Sequence, residues 1–260
     1  MPALPPVFIS HGSPMLLLDP GATGAAWQRL AAELPPPRAI LAVSAHWTAP
    51  VPAVGAAPQP ATLHDFYGFP DPLYELDYPA PGSPELAARV ASLIPGVRID
   101  PQRGLDHGAW SPLSLMYPGA DIPVVQFAVM PGADASAHFE LGRRLAPLTR
   151  EGVLVLASGS LTHNLGDMVA GAPENAALRH VAEFSDWFAE RLAANEIDAL
   201  LDWETRAPHA RRAHPTPEHL LPLFVALGAA GPTADARAVH RGYQFGALAM
   251  DAWRFDPEAD

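Results

Sequence analysis

The sequence predicts an α/β fold: a single three-layer domain over residues 1–260, built on a central mixed, mostly parallel sheet. Three observations carry that reading. Val7 to Ser10, Ala39 to Trp47 and Val153 to Ala157 are apolar runs of strand length without polar alternation, the pattern of strands covered on both faces. Segments with helical spacing separate them, the order expected of a sheet wound with helices. Each run also leads into an imidazole: His11 after the first, His46 at the end of the second, His163 shortly beyond the third. Ligands of open α/β sheets bind outside the carboxyl ends of the strands. Three parallel neighbours would therefore gather these side chains at one edge, where a metal ion is the simplest occupant.

In chain order, His11-Gly12-Ser13-Pro14-Met15 reads as a turn in which Gly12 permits close backbone approach. Gly24 to Leu34 reads as a helix closed by Pro35-Pro36-Pro37, and the Ala39 strand runs into a Pro- and Ala-rich stretch with room for one short strand. His64-Asp65-Phe66-Tyr67-Gly68-Phe69-Pro70 is too aromatic for a linker; it either staples a long loop to the core or walls a pocket for a flat apolar ligand. Pro84 to Ile94 carries Leu86, Val90 and Leu93 at helical spacing behind a first-turn proline, and Arg98 to Asp100 suits a short strand. Leu105 to Trp110 has no clear period. Ile122 to Met130 is another buried strand, and Asp134 caps a helix reaching Leu148. After the Val153 strand a long helix is expected from Glu174 to Leu201, burying Val181, Phe184, Trp187 and Phe188. Thr216 then reads as an N-cap, Pro217 as the first helical residue and Glu218 as a partner of the helix dipole. That would place His219 in the first turn, where the dipole disfavours imidazolium. Tyr243 to Phe255 reads as a last strand, with a helix as the alternative.

Composition narrows the chemistry. The net charge of −12 would repel a phosphate backbone, so no nucleic-acid partner is expected. No apolar run is long enough for a bilayer and the start lacks a basic-then-apolar leader, so no membrane association and a cytoplasmic location are expected. There is no cysteine, which removes disulfides, thiolate nucleophiles and Cys-ligated metal sites. Every basic residue besides histidine is arginine, which excludes a Schiff-base or phosphate-loop lysine. Neutral imidazole suits iron, zinc, copper and nickel, and without thiolates a site of three or four histidines is either an open zinc site or a non-haem iron site. His11, His46, His163 and His219 are the candidates. His138, His180, His209 and His240 read as solvated, while His64 and His214 sit in the proposed pocket loops. Dimerisation of an acidic chain of this size is left open.

The wording of the segments goes further. His-Gly-Ser-Pro-Met, Ser-Ala-His-Trp, His-Asp-Phe-Tyr-Gly-Phe-Pro, Tyr-Pro-Ala-Pro-Gly-Ser-Pro, Asp-His-Gly-Ala-Trp, Gly-Ser-Leu-Thr-His-Asn and Pro-Thr-Pro-Glu-His follow one another along the chain. Together they closely resemble the DODA-type branch of the class III extradiol ring-cleavage dioxygenases, the LigB-like superfamily, from about Pro6 to Phe255. The resemblance implies a LigB-like fold and opening of the aromatic ring of a catechol-type, 4,5-DOPA-like diol with O2. It implies one Fe(II) or Zn(II) per chain, held by His11, His46 and His219. It makes His163 the acid/base, able to serve as a fourth ligand without substrate, and His107 a neighbouring group facing substrate or oxygen. His64, Phe66 and Tyr67 would contact the ring. Protocatechuate-cleaving relatives use a carboxylate as third ligand; here His219 stands in that place with Glu218 beside it, and the all-histidine set keeps zinc in contention with iron.

Three other readings compete. A zinc-dependent hydrolase would use the same histidines around a metal-activated hydroxide. A serine hydrolase would use Ser158 or Ser160 ahead of His163, although no Gly-x-Ser-x-Gly elbow is present. A non-enzymatic, metal-stabilised binding protein would lose stability on chelation and have no turnover to lose.

Overall fold

The computed structural model describes residues 3–257. In chain order its elements are β1 (Val7–Ser10), α1 (Gly21–Glu33), β2 (Ala39–Thr48), β3 (Ala53–Gly55), α2 (Pro84–Leu93), β4 (Arg98–Asp100), α3 (His107–Met116), β5 (Val124–Val129), α4 (Ala135–Leu145), α5 (Pro147–Arg150) and β6 (Val153–Gly159). There follow α6 (Arg179–Ala193), α7 (Ile197–Leu201), α8 (Trp203–Arg206), α9 (Ala210–Ala213), α10 (Leu221–Ala230), β7 (Asp235–His240), β8 (Tyr243–Gln244), β9 (Leu248–Ala249) and β10 (Ala252–Asp256).

Eight strands form one sheet in the order β4-β3-β5-β2-β6-β1-β10-β7. The central four, β5, β2, β6 and β1, are parallel, while β3 and β10 join them antiparallel from either side. Both faces of this centre are buried, which explains the missing polar alternation. Phe8, Leu41, Val43 and Val155 pack with α2, α4, α6 and α10 on one face. Val7, Ile9, Ile40, Ala42 and Leu154 meet Trp27 and Leu30 of α1 and Trp110 and Leu113 of α3 on the other. The mixed, mostly parallel three-layer arrangement is therefore the one the apolar runs specify.

Several boundaries differ from the sequence reading. The 174–201 helix starts at Arg179 and breaks after Ala193, because Asn195 takes a left-handed conformation (φ 51°), leaving α7 as a separate turn. Of its expected core residues, Trp187 is only partly covered. Residues 107–116, which show no periodicity, form α3: Asp106 caps it through the Ala109 N–H, and Pro112 sits inside it. Thr216 does not cap α10, which begins at Leu221; its hydroxyl donates to Glu218 instead. His219 therefore lies in a tight turn before the helix, closed by Leu220 N–H to Pro217 C=O at 2.9 Å. The last strand is resolved into β8, β9 and β10, and β7 pairs beside β10 as an edge strand with exposed, charged residues. No helix among the described residues is long and apolar enough to cross a membrane.

Candidate metal centre and cavity

The carboxyl ends of β1, β2 and β6 lie side by side, and the sheet's own pairing brings two of the histidines together. His11 follows β1 and donates its backbone N–H to Gly159 C=O of β6 at 2.9 Å. His46 lies where β2 changes register against β5 between Ser44 and Thr48, an irregularity that re-aims a side chain. His219 arrives from the turn before α10, whose carbonyl accepts the Ser160 N–H at 2.8 Å. Gly159 makes this docking possible, since an added Cβ would overlap the His219 carbonyl oxygen. Replacing Gly159 with Ala is accordingly expected to displace the His219 turn, lowering stability by about 1–3 kcal/mol and weakening metal retention. Thermal melts and metal titration of the variant check both.

The three side chains converge. His46 Nε2 lies 3.0 Å from His11 Nε2 and 3.3 Å from His219 Nε2. The opposite edge of each ring meets an oxygen: His11 Nδ1 is 3.0 Å from Ser158 Oγ, His46 Nδ1 is 3.4 Å from Asp65 Oδ2, and His219 Nδ1 is 3.1 Å from Glu218 Oε1. The His11 tautomer can be traced outward. Pro112 has no N–H, so the carbonyl one helical turn earlier, that of Gly108, is left for another donor. The Ser158 hydroxyl donates to it, and so accepts from His11 Nδ1–H. Nε2 of His11 then presents a lone pair. The carboxylates fix His46 and His219 in the same sense, the usual support for imidazole ligands.

Protonation does not relieve these facing lone pairs. Burial, then the neighbouring imidazoles, holds His11 and His219 far below the ordinary histidine range. Burial and His107 bring His46 down to about 3, against the opposing pull of Asp65. A cation bonded at about 2.1 Å to a pair of such nitrogens spaces them by roughly 3.0–3.4 Å for octahedral to tetrahedral angles. The two spacings about His46 fall in that interval and all three donor atoms lie within 4.8 Å of one another, so the donor set fits a metal ion in both proximity and protonation state. His219 is not in the first helical turn expected of it; burial, then the surrounding imidazoles, lowers its pKa.

Behind these histidines, a buried network supports β2. Ser44 Oγ accepts the His46 N–H at 3.2 Å and donates to Asp106 Oδ1 at 2.6 Å. Asp106 also accepts from Arg103 and Gln126. Asp65 Oδ1 accepts the His107 N–H at 2.8 Å and lies 3.0 Å from His107 Nδ1. Burial raises the Asp65 carboxyl, but its contacts with His107 and His46 outweigh this and hold it at about 2.

His107 stands against His46 with ring centroids 3.9 Å apart. His163 stacks on His219 at 3.3 Å with nearly parallel rings, and its backbone N–H donates to Ala213 C=O. Its ring nitrogen groups with His219 and Glu218, outside the trio formed by His11, His46 and His219. Burial and His46 hold it neutral, at about 4, against the opposing effect of Glu218. His163, His107, His11 and His46 line a cavity of about 370 Å³. Its wall is completed by Phe66, edge-on to His107, and by Phe69, edge-on to Phe66.

The remaining candidates fall elsewhere. Tyr67 is 91% exposed and stands at the mouth instead of covering the interior. His64 sits behind Phe66, its Nε2 paired with Leu76 C=O, so it supports the aromatic wall. His214 is buried on Leu161 C=O. His138 and His180 are buried as well: His138 accepts the Met130 N–H, and His180 lies 2.9 Å from Asp167. His240 is half-buried and pairs with Thr23, leaving His209 as the exposed one of that group, paired with Glu183. Ser158 and Ser160 are buried with their hydroxyls donating to Gly108 and Thr162 carbonyls, so neither is available as a nucleophile. Asp65, Ser158 and Glu218 are the supporting residues; the sequence reading gave Ser158 and Glu218 other roles, as a candidate nucleophile and a partner of the helix dipole, and gave none of the three the task of orienting an imidazole.

The neutral, buried histidines have a consequence for stability. His214 and His163, at about 4, and His46, at about 3, lie below the 6.5 of an unfolded chain. The unfolded state therefore takes up protons first, so the metal-free chain keeps its full stability above about pH 6.5 and loses it as pH falls toward 4. His214 alone accounts for about 2 kcal/mol by pH 5. Chemical denaturation of the chelated protein at pH 7.5, 6 and 5 measures the decline.

The geometry agrees with what the chain is similar to. Residues 6–249 match the family described as the catalytic LigB subunit of aromatic ring-opening dioxygenase. The chain is 41% identical over 259 residues to a 4,5-DOPA dioxygenase extradiol of Beta vulgaris, covering 95% of each. It is 38% identical over 256 residues to a 4,5-DOPA dioxygenase extradiol of Escherichia coli K12, covering 95% of this chain and 93% of that one. The crystal structure of an uncharacterized protein from Escherichia coli K12 superposes with a TM-score of 0.80 at 33% identity, covering 96% of this chain and 99% of that one. The chain belongs to the LigB family of aromatic ring-opening, extradiol ring-cleaving dioxygenases.

Proposed function

We propose that the protein opens the ring of a catechol-type diol with O2 at a single metal held by His11, His46 and His219. The observation that carries the reading is the set of three Nε2 atoms turned on one another, with each Nδ1 against an oxygen. Such a trio is unfavourable without a cation between the lone pairs. When bound, Fe(II) supplies a two-point hold on the diol and redox access to O2, whereas Zn(II) supplies Lewis acidity alone.

The chain's own residues do the rest. His163, neutral at physiological pH, receives a proton from a diol hydroxyl; the negative charge left on the diol and nearby Glu218 both favour the protonated ring. His107, with Asp65 behind it, is placed to hold a proton toward the reacting oxygens. Phe66 and Phe69 lie along the flat ring and exclude water from it. The same trio could hold a zinc hydroxide for hydrolysis, and one experiment separates the two. Anaerobic purification, metal analysis and reconstitution with Fe(II) or Zn(II) precede oxygen-uptake assays on catechols. Stoichiometric oxygen uptake by the iron form alone supports ring opening, while activity of the zinc form on esters or amides without oxygen uptake overturns it.

A further inference from the structure

Resting on the reading of His163 as the base for the diol, we propose that Asn164 is a positioning residue whose side-chain amide holds His163 in register over His219. Two stretches of chain run past each other here in opposite directions, 160–167 carrying His163 and 212–219 carrying His219. Ser160 N–H donates to His219 C=O at 2.8 Å. His214 Nε2 donates to Leu161 C=O at 2.8 Å, and His163 N–H to Ala213 C=O at 2.9 Å. Asn164 Nδ2 then donates to Arg212 C=O at 2.8 Å. Partners descend from 219 to 212 as the first stretch climbs from 160 to 164, so these rungs together set where the His163 ring comes to rest along His219. The result is the near-parallel stack at 3.3 Å.

Asn164 is the last main-chain rung of this ladder. Before His163 the chain is fixed at Thr162, whose hydroxyl donates to Ala247 C=O and accepts the Ala249 N–H. Beyond Asn164, Leu165 and Gly166 are exposed. The acceptors come from α9: a helix leaves its last carbonyls without internal partners, and those of Arg212 and Ala213 go to Asn164 and His163. Asparagine suits the position because a donor and an acceptor are needed at once. Its Oδ1 accepts the Gly166 N–H at 3.1 Å, capping the 165–167 turn. The two hydrogens of Nδ2 reach Arg212 C=O and, at 3.2 Å, Asp167 Oδ2. Asp167 is held in turn by the Arg212 guanidinium at 2.9 and 3.2 Å, but that arginine is 57% exposed and such a pair contributes little by itself. The amide rung to the main chain is what ties the base to the segment bearing His219. Aspartate could replace the cap but not the rung, since it would turn an oxygen toward Arg212 C=O and Asp167.

The test compares Asn164→Ala and Asn164→Asp with the parent, reading metal content, exchange of the His163 amide hydrogen by NMR on the zinc-loaded protein, and oxygen uptake with catechol by the iron-loaded protein. Asn164 is partly exposed, so both variants are expected to fold and to keep the parent's metal content. The Ala variant is expected to exchange the His163 amide about tenfold faster. Its kcat should fall about 10–100-fold, with KM nearly unchanged and the acid limb of the pH profile retained, because the base is present but misplaced. The Asp variant should be no better than Ala. Asn and Asp are equivalent as caps, so return of the Asp variant to the parent's rate would reduce Asn164 to a turn cap and overturn the inference. A parental kcat in the Ala variant, or a fall in its metal content, overturns it as well. If exchange and metal content behave as expected but the parent opens no ring, the ring-opening reading fails and the placement of His163 by Asn164 stands; if the parent opens rings and the Ala variant matches it, this inference alone fails.

Discussion

His46→Ala is expected to yield a folded chain that no longer retains metal, with content falling from about one equivalent to near zero and turnover below detection. His46 is the nitrogen shared by both short separations, 3.0 Å to His11 and 3.3 Å to His219, so its removal leaves two donors on opposite sides of a gap. The fold should survive, because the ring is half-buried at the cavity edge and β2 is held by its pairing to β5 and β6. Loss of the mutual repulsion among neutral ligands should even leave the metal-free variant no less stable than the metal-free parent. Ser158→Ala offers a graded comparison: it releases the His11 tautomer without removing a ligand, for which about a 10–100-fold loss of metal affinity is expected. Elemental analysis and competition with a chromophoric chelator measure both. Full metal content in the His46 variant would contradict the assignment.

Much of this architecture is legible in the sequence, and the reason is the burial of both sheet faces. A strand covered on both sides cannot alternate, so β1, β2 and β6 appear as unbroken apolar runs, and an imidazole at such a terminus is conspicuous. Where local signals conflict, the reading fails. Pro112 disguises α3 by breaking its helical pattern, although Asp106 is a clear cap. Thr216-Pro217 imitates a helix start because the turn before α10 uses the same residue types. β7, exposed and charged, has no apolar stripe to find. The supporting contacts are illegible for a different reason. Ser158 meets His11 across 147 positions and Pro112 bears on both through one freed carbonyl, and neither relation leaves a local trace. The same holds for burial of His138 and His180, which depends on what packs over their helices.

His163→Ala is expected to lower kcat by about 10²–10⁴-fold while metal content stays at the parent level. The separation of the two readouts follows from the geometry. The ring of His163 is stacked face to face on His219 at 3.3 Å, so it touches a proposed ligand without contributing to the trio of nitrogens. Removing it takes away a proton acceptor on the cavity wall and one face of His219's packing, but none of the three donors. The environment that keeps His163 at about 4 before substrate arrives also sets the sign of the pH effect. A neutral ring is available throughout the neutral range, so the parent's acid limb should fall only at low pH, where His163 takes a proton from solvent instead of from the diol. In the alanine variant that limb should be lost, and activity should rise with pH as hydroxide or a pre-ionised diol replaces the missing base. His163→Gln, which keeps a flat side chain on His219 without a basic nitrogen, should resemble Ala in kcat and the parent in stability. Steady-state oxygen uptake from pH 5 to 9, with metal analysis of each preparation, distinguishes this from a packing role, for which Gln would rescue turnover.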